Sequence, residues 1–473
     1  MSDVASDHES VSGWENAVAF APGYEGFAYR PDEVVVGGEL GRDAAQRRFP
    51  AEAEVETVFP EVDESEGTIQ LYRFRGRADA LTDVDALRAE GVFAQPNHVV
   101  FSHGQCGCGP HPAQRWHASV SGHPMYASPM YASPMYASPM YASPMYASAQ
   151  ASPMYASDLQ GTGRRRSSAR PTTAPTLPRR NPSTHPMGRE VRVAVLDTGM
   201  AADEVRPAAL DAIAPKRSHW EKPDVDGDDY LDPAAGHGTF IAGLIDLLSP
   251  GCKFTIEKVL TNYGEGDEVA VARRVHALAG AVDLINLSFG GYAMERMHTL
   301  AAAVRRATTL GTAVVASAGN DSTCRPTFPA ALPGVVGVGA IGPAGPAPFT
   351  NYGPWVRACA PGVDVVSWFF SAFEGQKTAA QGELDPDSFE SWARWSGTSF
   401  AAPIVTAALA REMGTYEVNA AQAVHRVIDA RGLLRLPDLG TVVNIGWAAE
   451  ATTRPVTVRQ PDDGAPSQPG TGD

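Results

Sequence analysis

Between Asp32 and Ser102 the hydrophobic positions come in short runs divided by polar breaks. Asp32–Val36, Val55–Val62, Ile69–Phe74 and His98–Ser102 read as strands, and Arg42–Arg48 and Leu81–Ala89 as helices. The order β-α-β-β-α-β predicts a small ferredoxin-like α+β unit. From Arg189 the pattern changes. Val191–Leu196, Phe254–Val259, Leu284–Leu287, Ala313–Ala316 and Gly334–Val338 are short and nearly all apolar. Helical patterns at Phe240–Leu248, Glu268–Ala279 and Glu295–Leu310 separate several of them. Strands buried on both faces and alternating with amphipathic helices predict an α/β unit with a mainly parallel sheet. Ligands of such sheets sit beyond the carboxyl ends of the strands, where Asp197 and Asn320 fall.

No such pattern links the two units. His103-Gly-Gln-Cys106-Gly-Cys108-Gly-Pro-His111, with His117 and His123, gathers soft metal ligands, but Cys-x-Cys lacks the spacing of a structural zinc site. A glycine-rich connector is the expected reading. Pro-Met-Tyr-Ala-Ser then occurs five times from Pro124 to Ser148 and once more at Pro153–Ser157. Proline at every fifth position excludes a continuous helix and predicts an extended spacer. Gly161–Pro186 is a basic linker open to proteolytic nicking. The expected organisation is a disordered arm (1–28), the small unit (29–103), a disordered linker with the repeats (104–187), the large unit (188–450) and a disordered tail (451–473).

Charge and composition narrow the function classes. The chain has 473 residues, with 54 acidic against 38 basic and a formal charge of -16. That balance argues against a nucleic-acid partner. No apolar run approaches the roughly 18–20 residues of a membrane span, and Met1–Glu15 lacks the basic and apolar regions of a signal peptide. A cytoplasmic location is the default expectation, with export by a non-standard route left open. Five cysteines do not suggest a disulfide framework, and Cys252, Cys324 and Cys359 are expected to be reduced and buried.

The chemistry centres on Gly397-Thr398-Ser399-Phe400-Ala401-Ala402-Pro403. A serine between small residues at a loop-to-helix junction has an exposed hydroxyl, and the helix N-terminus beside it favours a developing negative charge. Pro403 cannot return a hydrogen bond to the Ser399 carbonyl, which predicts a loosened first turn. His237 lies in Gly236-His237-Gly238-Thr239, at the expected start of a helix. Asp197, ending a buried strand, is placed to accept from one imidazole nitrogen and fix the tautomer. Asn320, in Ala316-Ser317-Ala318-Gly319-Asn320, offers a side-chain N–H to an oxyanion.

The segments VAVLDTGM, GHGTFIAGLI and SGTSFAAPIV, in that order, resemble the subtilisin-like serine proteases (subtilases, peptidase S8) from Val191 to Glu450. The resemblance implies a subtilisin-like three-layer α/β fold and a serine endopeptidase. In it Asp197 orients, His237 is the general base and Ser399 is the nucleophile, while Asn320 and the Ser399 backbone N–H form the oxyanion hole. Ser288, Phe289 and Gly290 would pair with an extended peptide substrate, and Ala316, Ser317, Ala318 and Gly319 would line the other wall of its specificity pocket. The small unit looks like the family's propeptide, an intramolecular partner that assists folding and blocks the site, although residues 104–187 separate it from the large unit. No cofactor is required. Calcium is the ion the family brings with it, and Asp224-Val-Asp226-Gly-Asp228-Asp229-Tyr-Leu-Asp232 offers carboxylates but lacks a closing bidentate Glu, so a solvated acidic loop is expected. The competing class is a non-catalytic binding protein on the same scaffold, acting through the repeat array; the complete set of catalytic residue types favours the enzyme.

Overall fold

A computed structural model of the chain describes residues 18–21, 26–49, 53–59, 68–74, 80–102, 170–171, 188–227, 229–375 and 388–443. The Cys- and His-containing connector at 103–123, the repeats, Asp228 and the tail lie outside these residues.

The small unit contains β1 (Ala28–Gly37), α1 (Gly38–Arg48), β2 (Glu54–Thr57), β3 (Ile69–Arg73), α2 (Ala80–Ala89) and β4 (Phe93–Ser102). Its strands are antiparallel in the order β4-β1-β3-β2, with Val35 opposite both Leu71 and Gln95. This is the ferredoxin-like arrangement predicted from the hydrophobic pattern. The two-residue period of a strand explains the run Val34-Val35-Val36. Val34 and Val36 pack with Ala44, Phe49, Val84 and Leu87 beneath the unit's own helices. Val35 joins Leu71 and Val100 on the opposite face, packed into the large unit.

The large unit runs through β5 (Arg192–Asp197), β6 (Met200–Ala201), β7 (Trp220–Glu221), α3 (His237–Leu248), β8 (Lys253–Lys258), β9 (Glu265–Asp267), α4 (Glu268–Leu278), β10 (Leu284–Leu287) and β11 (Phe289–Gly290). It continues through α5 (His298–Thr309), β12 (Ala313–Ser317), β13 (Val335–Gly342), β14 (Val356–Pro361), β15 (Val365–Trp368), β16 (Trp392–Trp395), α6 (Thr398–Tyr416) and β17 (Gly440–Val442). The central sheet has the order β8-β5-β10-β12-β13-β14-β17, every one of these pairs being parallel. One core beneath α3 and α6 includes Phe240, Phe400 and Leu409, and another beneath α4 and α5 includes Leu196, Val275 and Leu300, giving three layers. After β5 the chain adds β8 on one side and then β10 on the other. The carboxyl ends of β5, β10 and β12 therefore border one crevice, as expected at such a reversal.

Several boundaries differ from the sequence reading. Ala19–Phe20 pair with Ala28 and Tyr29, so strand structure begins within the arm expected to be disordered through residue 28. Arg170–Pro171 pair with Ala393 and Arg394, so the expected linker also contributes a strand. The sequence pattern predicts no strand at β14 to β17, which are short and broken by residues such as Arg357, Ser367, Arg394 and Thr441. Of the three cysteines in the large unit all are free, but Cys324, in an irregular segment after β12, is exposed, contrary to expectation.

Candidate active site

Asp197 is the last residue of β5 and is fully buried. Its Oδ1 accepts from the Thr198 backbone N–H at 2.8 Å and lies 2.7 Å from His237 Nδ1. His237 opens α3, preceded by Gly236 in the left-handed conformation (φ 79°), where a Cβ would lie 2.1 Å from the Phe369 ring. Only glycine fits there, which ties the histidine's entry angle to the core. The Trp395 and Phe400 rings flank the imidazole at centroid distances of 5.5 and 5.4 Å. With Nδ1 donating to Asp197, Nε2 is left as a buried acceptor with no hydrogen-bond partner.

Ser399 is the second residue of α6. Because Pro403 has no N–H, the Ser399 carbonyl is free, and it accepts from Ser288 Oγ at 2.8 Å. The Ser399 hydroxyl donates to the Ser288 carbonyl at 3.1 Å rather than to His237. A catalytic serine–imidazole hydrogen bond commonly tightens only with substrate present. Asn286 Nδ2 donates to Ser288 Oγ at 2.9 Å, and Thr406 Oγ1 donates to Asn286 Oδ1 at 2.8 Å, so β10 is pinned to α6 behind the serine.

Asn320 follows β12. Its Oδ1 accepts from both the N–H and the hydroxyl of Thr398, each at 2.9 Å, and Thr398 Oγ1 accepts from the Gly319 N–H at 3.1 Å. These bonds occupy the acceptor end of the amide. Asn320 Nδ2 is buried and has no partner, while the first-turn N–H of Ser399 has none within the helix. Ala316 and Ser317 end β12 and, with Ala318 and Gly319, lead into this loop. Asn351 braces it, donating to the Ala318 carbonyl at 3.0 Å and accepting from Asp321 N–H at 2.8 Å.

Ser288, Phe289 and Gly290 border the same crevice, and the edge they form is occupied. β11 pairs with β4, Phe289 opposite Ser102 and Gly290 opposite Phe101. On the other side β9 pairs antiparallel with Val99, Val100 and Phe101, and Ser102 N–H donates to the Gly264 carbonyl at 2.8 Å. The end of β4 is therefore a central strand between two edges of the large unit. A Cβ on Gly291 would meet the Val99 carbonyl oxygen at 2.6 Å, so the β11 side approaches β4 closely.

The structure thus gathers Asp197, His237, Ser399, Asn320 and both predicted peptide-binding segments around one crevice. The motif reading missed Thr398, Asn286, Asn351 and Glu221. Thr398 lies inside SGTSFAAPIV and Asn286 just before the Ser288–Gly290 edge, whereas Asn351 and Glu221 carry no local signal. Burial raises the Glu221 carboxyl above its ordinary range, with Asp197 adding to the shift. Away from the crevice, carboxylate oxygens of Asp224, Asp226 and Asp232 lie within 4.8 Å of one another. Burial pushes Asp232 up to about 7. Gly227 and Asp229 N–H groups bond the two Asp224 oxygens, Tyr263 bonds Asp226, and Val225 N–H and Asn262 bond Asp232 Oδ2. Calcium takes roughly six to eight oxygens; these three side chains fit part of such a shell, and most of their oxygens already serve the turn.

The sequence profile described as the subtilase family, Peptidase_S8, matches residues 188–428, about half of the 473-residue chain. The thermophilic serine proteinase of Bacillus sp. (strain AK1) is 31% identical over 251 residues, which are 50% of this chain and 56% of that relative. The major intracellular serine protease of Bacillus subtilis (strain 168) is 30% identical over 240 residues, 47% of this chain and 68% of the relative. The match thus spans little more than half of the first of these relatives. Among solved structures, a lanthipeptide protease is 23% identical, with a TM-score of 0.44 over 56% of this chain and 88% of its own. The profile spans all three motif segments and the elements that carry the crevice, and the chain belongs to the subtilase family.

Proposed function

We propose that the chain is a serine endopeptidase that cleaves peptide bonds through an acyl-enzyme. Ser399 Oγ attacks the peptide carbonyl and passes its proton to His237 Nε2. Asp197 Oδ1 holds the imidazole in the Nδ1–H tautomer and stabilises the imidazolium. Asn320 Nδ2 and the Ser399 N–H receive the oxyanion. The tetrahedral intermediate collapses as His237 protonates the leaving amine, and water repeats the sequence on the ester. The observation that carries this reading is the pair of buried, unpartnered groups, His237 Nε2 and Asn320 Nδ2, beside a serine at a helix N-terminus. Labelling by a sulfonyl fluoride, compared between the chain and Ser399→Ala, tests it. Failure to label in a Ser399-dependent way, both at full length and after deletion of residues 1–186, would overturn it.

The small unit, residues 29–103, is on this reading a propeptide that inhibits in cis. Support comes from the register of β4, which occupies the edge at Phe289–Gly290 as a substrate strand would. Ser102 stands opposite Phe289, next to the Ser288 whose carbonyl takes the Ser399 hydroxyl. Cleavage that frees the unit is therefore expected shortly after Ser102, read by N-terminal sequencing of the processed chain. A first cut confined to residues 160–187 would argue that the strand docks without being a substrate.

A further inference from the structure

Glu221 performs none of these steps, yet it is fully buried behind the catalytic residues. It belongs to β7, which pairs in parallel with β6, Ala201 opposite Glu221, directly after Asp197-Thr198-Gly199. Glu221 Oε1 accepts from the Thr239 hydroxyl at 2.6 Å and from the Thr239 backbone N–H at 3.2 Å. Thr239 Oγ1 accepts from Ala201 N–H at 2.8 Å, so its one proton is committed to the carboxyl. From the other side, Thr198 Oγ1 accepts from Gly238 N–H at 2.9 Å, and the Glu221 backbone carbonyl accepts from Ala202 N–H at 3.0 Å. Glu221 thus holds the segment that follows Asp197 through its backbone and Thr239, two residues past His237, through its carboxyl.

The segments it joins need such a bridge. A Cβ on Gly238 would lie 2.1 Å from the Gly199 carbonyl oxygen, so the two backbones touch with no side chain between them. Glycine contacts bury little apolar area, whereas one residue bonded to both segments, by its backbone on one side and its carboxyl on the other, sets their register. Resting on the serine-endopeptidase reading, we propose that Glu221 is a positioning residue of the triad. It clamps the turn after Asp197 to the first turn of α3, holds His237 Nδ1 against Asp197 Oδ1, and thereby sets kcat without touching substrate. The charged groups interacting with it are Asp197 and, from β8, Lys258.

The test uses the full-length chain with a small peptide anilide, after Ser399-dependent labelling has counted the active sites. Labelling that fails both in the parent chain and after deletion of residues 1–186 removes the endopeptidase reading and this inference with it. Given labelling, Glu221→Ala is expected to lower kcat by about a hundredfold per titrated site with KM within about twofold. Glu221→Gln, whose carbonyl still accepts from Thr239, is expected to recover most of that loss. Thr239→Val should fall nearly as far as Glu221→Ala, and the double variant no further, because the two act as one unit. A folded Glu221→Ala with kcat within about twofold of the parent overturns the proposal, as does additivity of the two losses. Where Glu221→Ala does not fold, a Thr239→Val or Glu221→Gln chain decides: parental kcat in the first, or a hundredfold loss in the second, overturns it.

Discussion

The docking face of the small unit and the catalytic crevice are both buried, both polar, and a few residues apart along β4, but they treat their polar groups in opposite ways. At the docking face the groups satisfy one another across the two units. His98 Nε2 accepts from the Met294 N–H and its Nδ1 donates to Glu268 at 2.7 Å, which also receives Gln95 Nε2 at 2.9 Å and the Leu300 N–H at 3.1 Å. Asn97 donates to Asp267 at 3.0 Å and accepts from the Val269 N–H at 3.2 Å. In the crevice, by contrast, Asp197 Oδ2, His237 Nε2 and Asn320 Nδ2 are buried without partners. Satisfied networks hold two surfaces in one register; orphaned groups cost stability and are retained where a ligand will complete them. Ser102, whose buried hydroxyl is also unpartnered, marks where one regime passes into the other.

If the crevice is the place where orphaned groups work, removing them should damage rate more than structure. Ser399→Ala is expected to abolish peptide hydrolysis. Asn320→Ala should lower kcat by roughly a hundred- to a thousandfold with KM nearly unchanged, since its Nδ2 meets charge only in the transition state. Steady-state hydrolysis of a peptide anilide checks both. An Asn320→Ala loss confined to KM would place the oxyanion elsewhere.

At the docking face the expected effects are smaller and appear as access. His98→Ala leaves Glu268 buried with one bond fewer, a loss of about 1–3 kcal/mol at such a site. In the unprocessed chain this should speed sulfonyl-fluoride labelling of Ser399 by roughly ten- to a hundredfold. An unchanged labelling rate would mean that apolar contacts of Val35, Leu71 and Val100 hold the unit by themselves.

The same face should respond to pH. Burial chiefly, and the neighbouring Asp267, raise the Glu33 carboxyl, against the pull of Asn97 and Arg73. Asp267 and much of that burial belong to the docked state, so docking raises the proton affinity of Glu33. Docking is therefore fully favoured below the ordinary carboxyl range and weakens as pH rises through the elevated value. Labelling of the unprocessed chain is expected to quicken by a few-fold across that rise, and Glu33→Gln to flatten the dependence. A labelling rate that instead falls with rising pH in that window would reverse the sign of this linkage.

These two regions also divide what could be read from the sequence. Asp197, His237, Asn320 and Ser399 stand in local motifs because each is fixed by the few residues beside it: a strand end, a glycine-capped helix start, a tight loop, a proline-loosened turn. The apolar run Val34-Val35-Val36 and the alternation over Ile69–Phe74 likewise exposed the ferredoxin-like order. Glu221, Asn351 and the β4 register were invisible because their partners lie far away along the chain, as with Glu221 and Thr239 or Asn97 and Val269. The Ser399 hydroxyl turned toward Ser288 belongs to that class too, since the carbonyl receiving it lies between β10 and β11, far away along the chain.

The smallest effect is expected at the acidic loop, which shares features of both regions: it is hydrogen-bonded like the docking face and charged like a ligand site. Asp232 is raised by burial to about 7, with Asp226 and Asp224 adding to the shift. Its folded form binds a proton more tightly than the unfolded chain does. Its contribution to stability is thus complete below the ordinary carboxyl range and lost as pH rises through about 7. Thermal unfolding should show Tm declining between about pH 6 and pH 8, and Asp232→Asn, which keeps an acceptor for Val225 and Asn262, should reduce the decline. Millimolar calcium at about pH 8 should add only about 1–2 °C, because the turn already engages most of these oxygens. A rise of about 5 °C or more, abolished by Asp232→Asn, would make the loop a cation site whose occupant keeps Asp232 ionised.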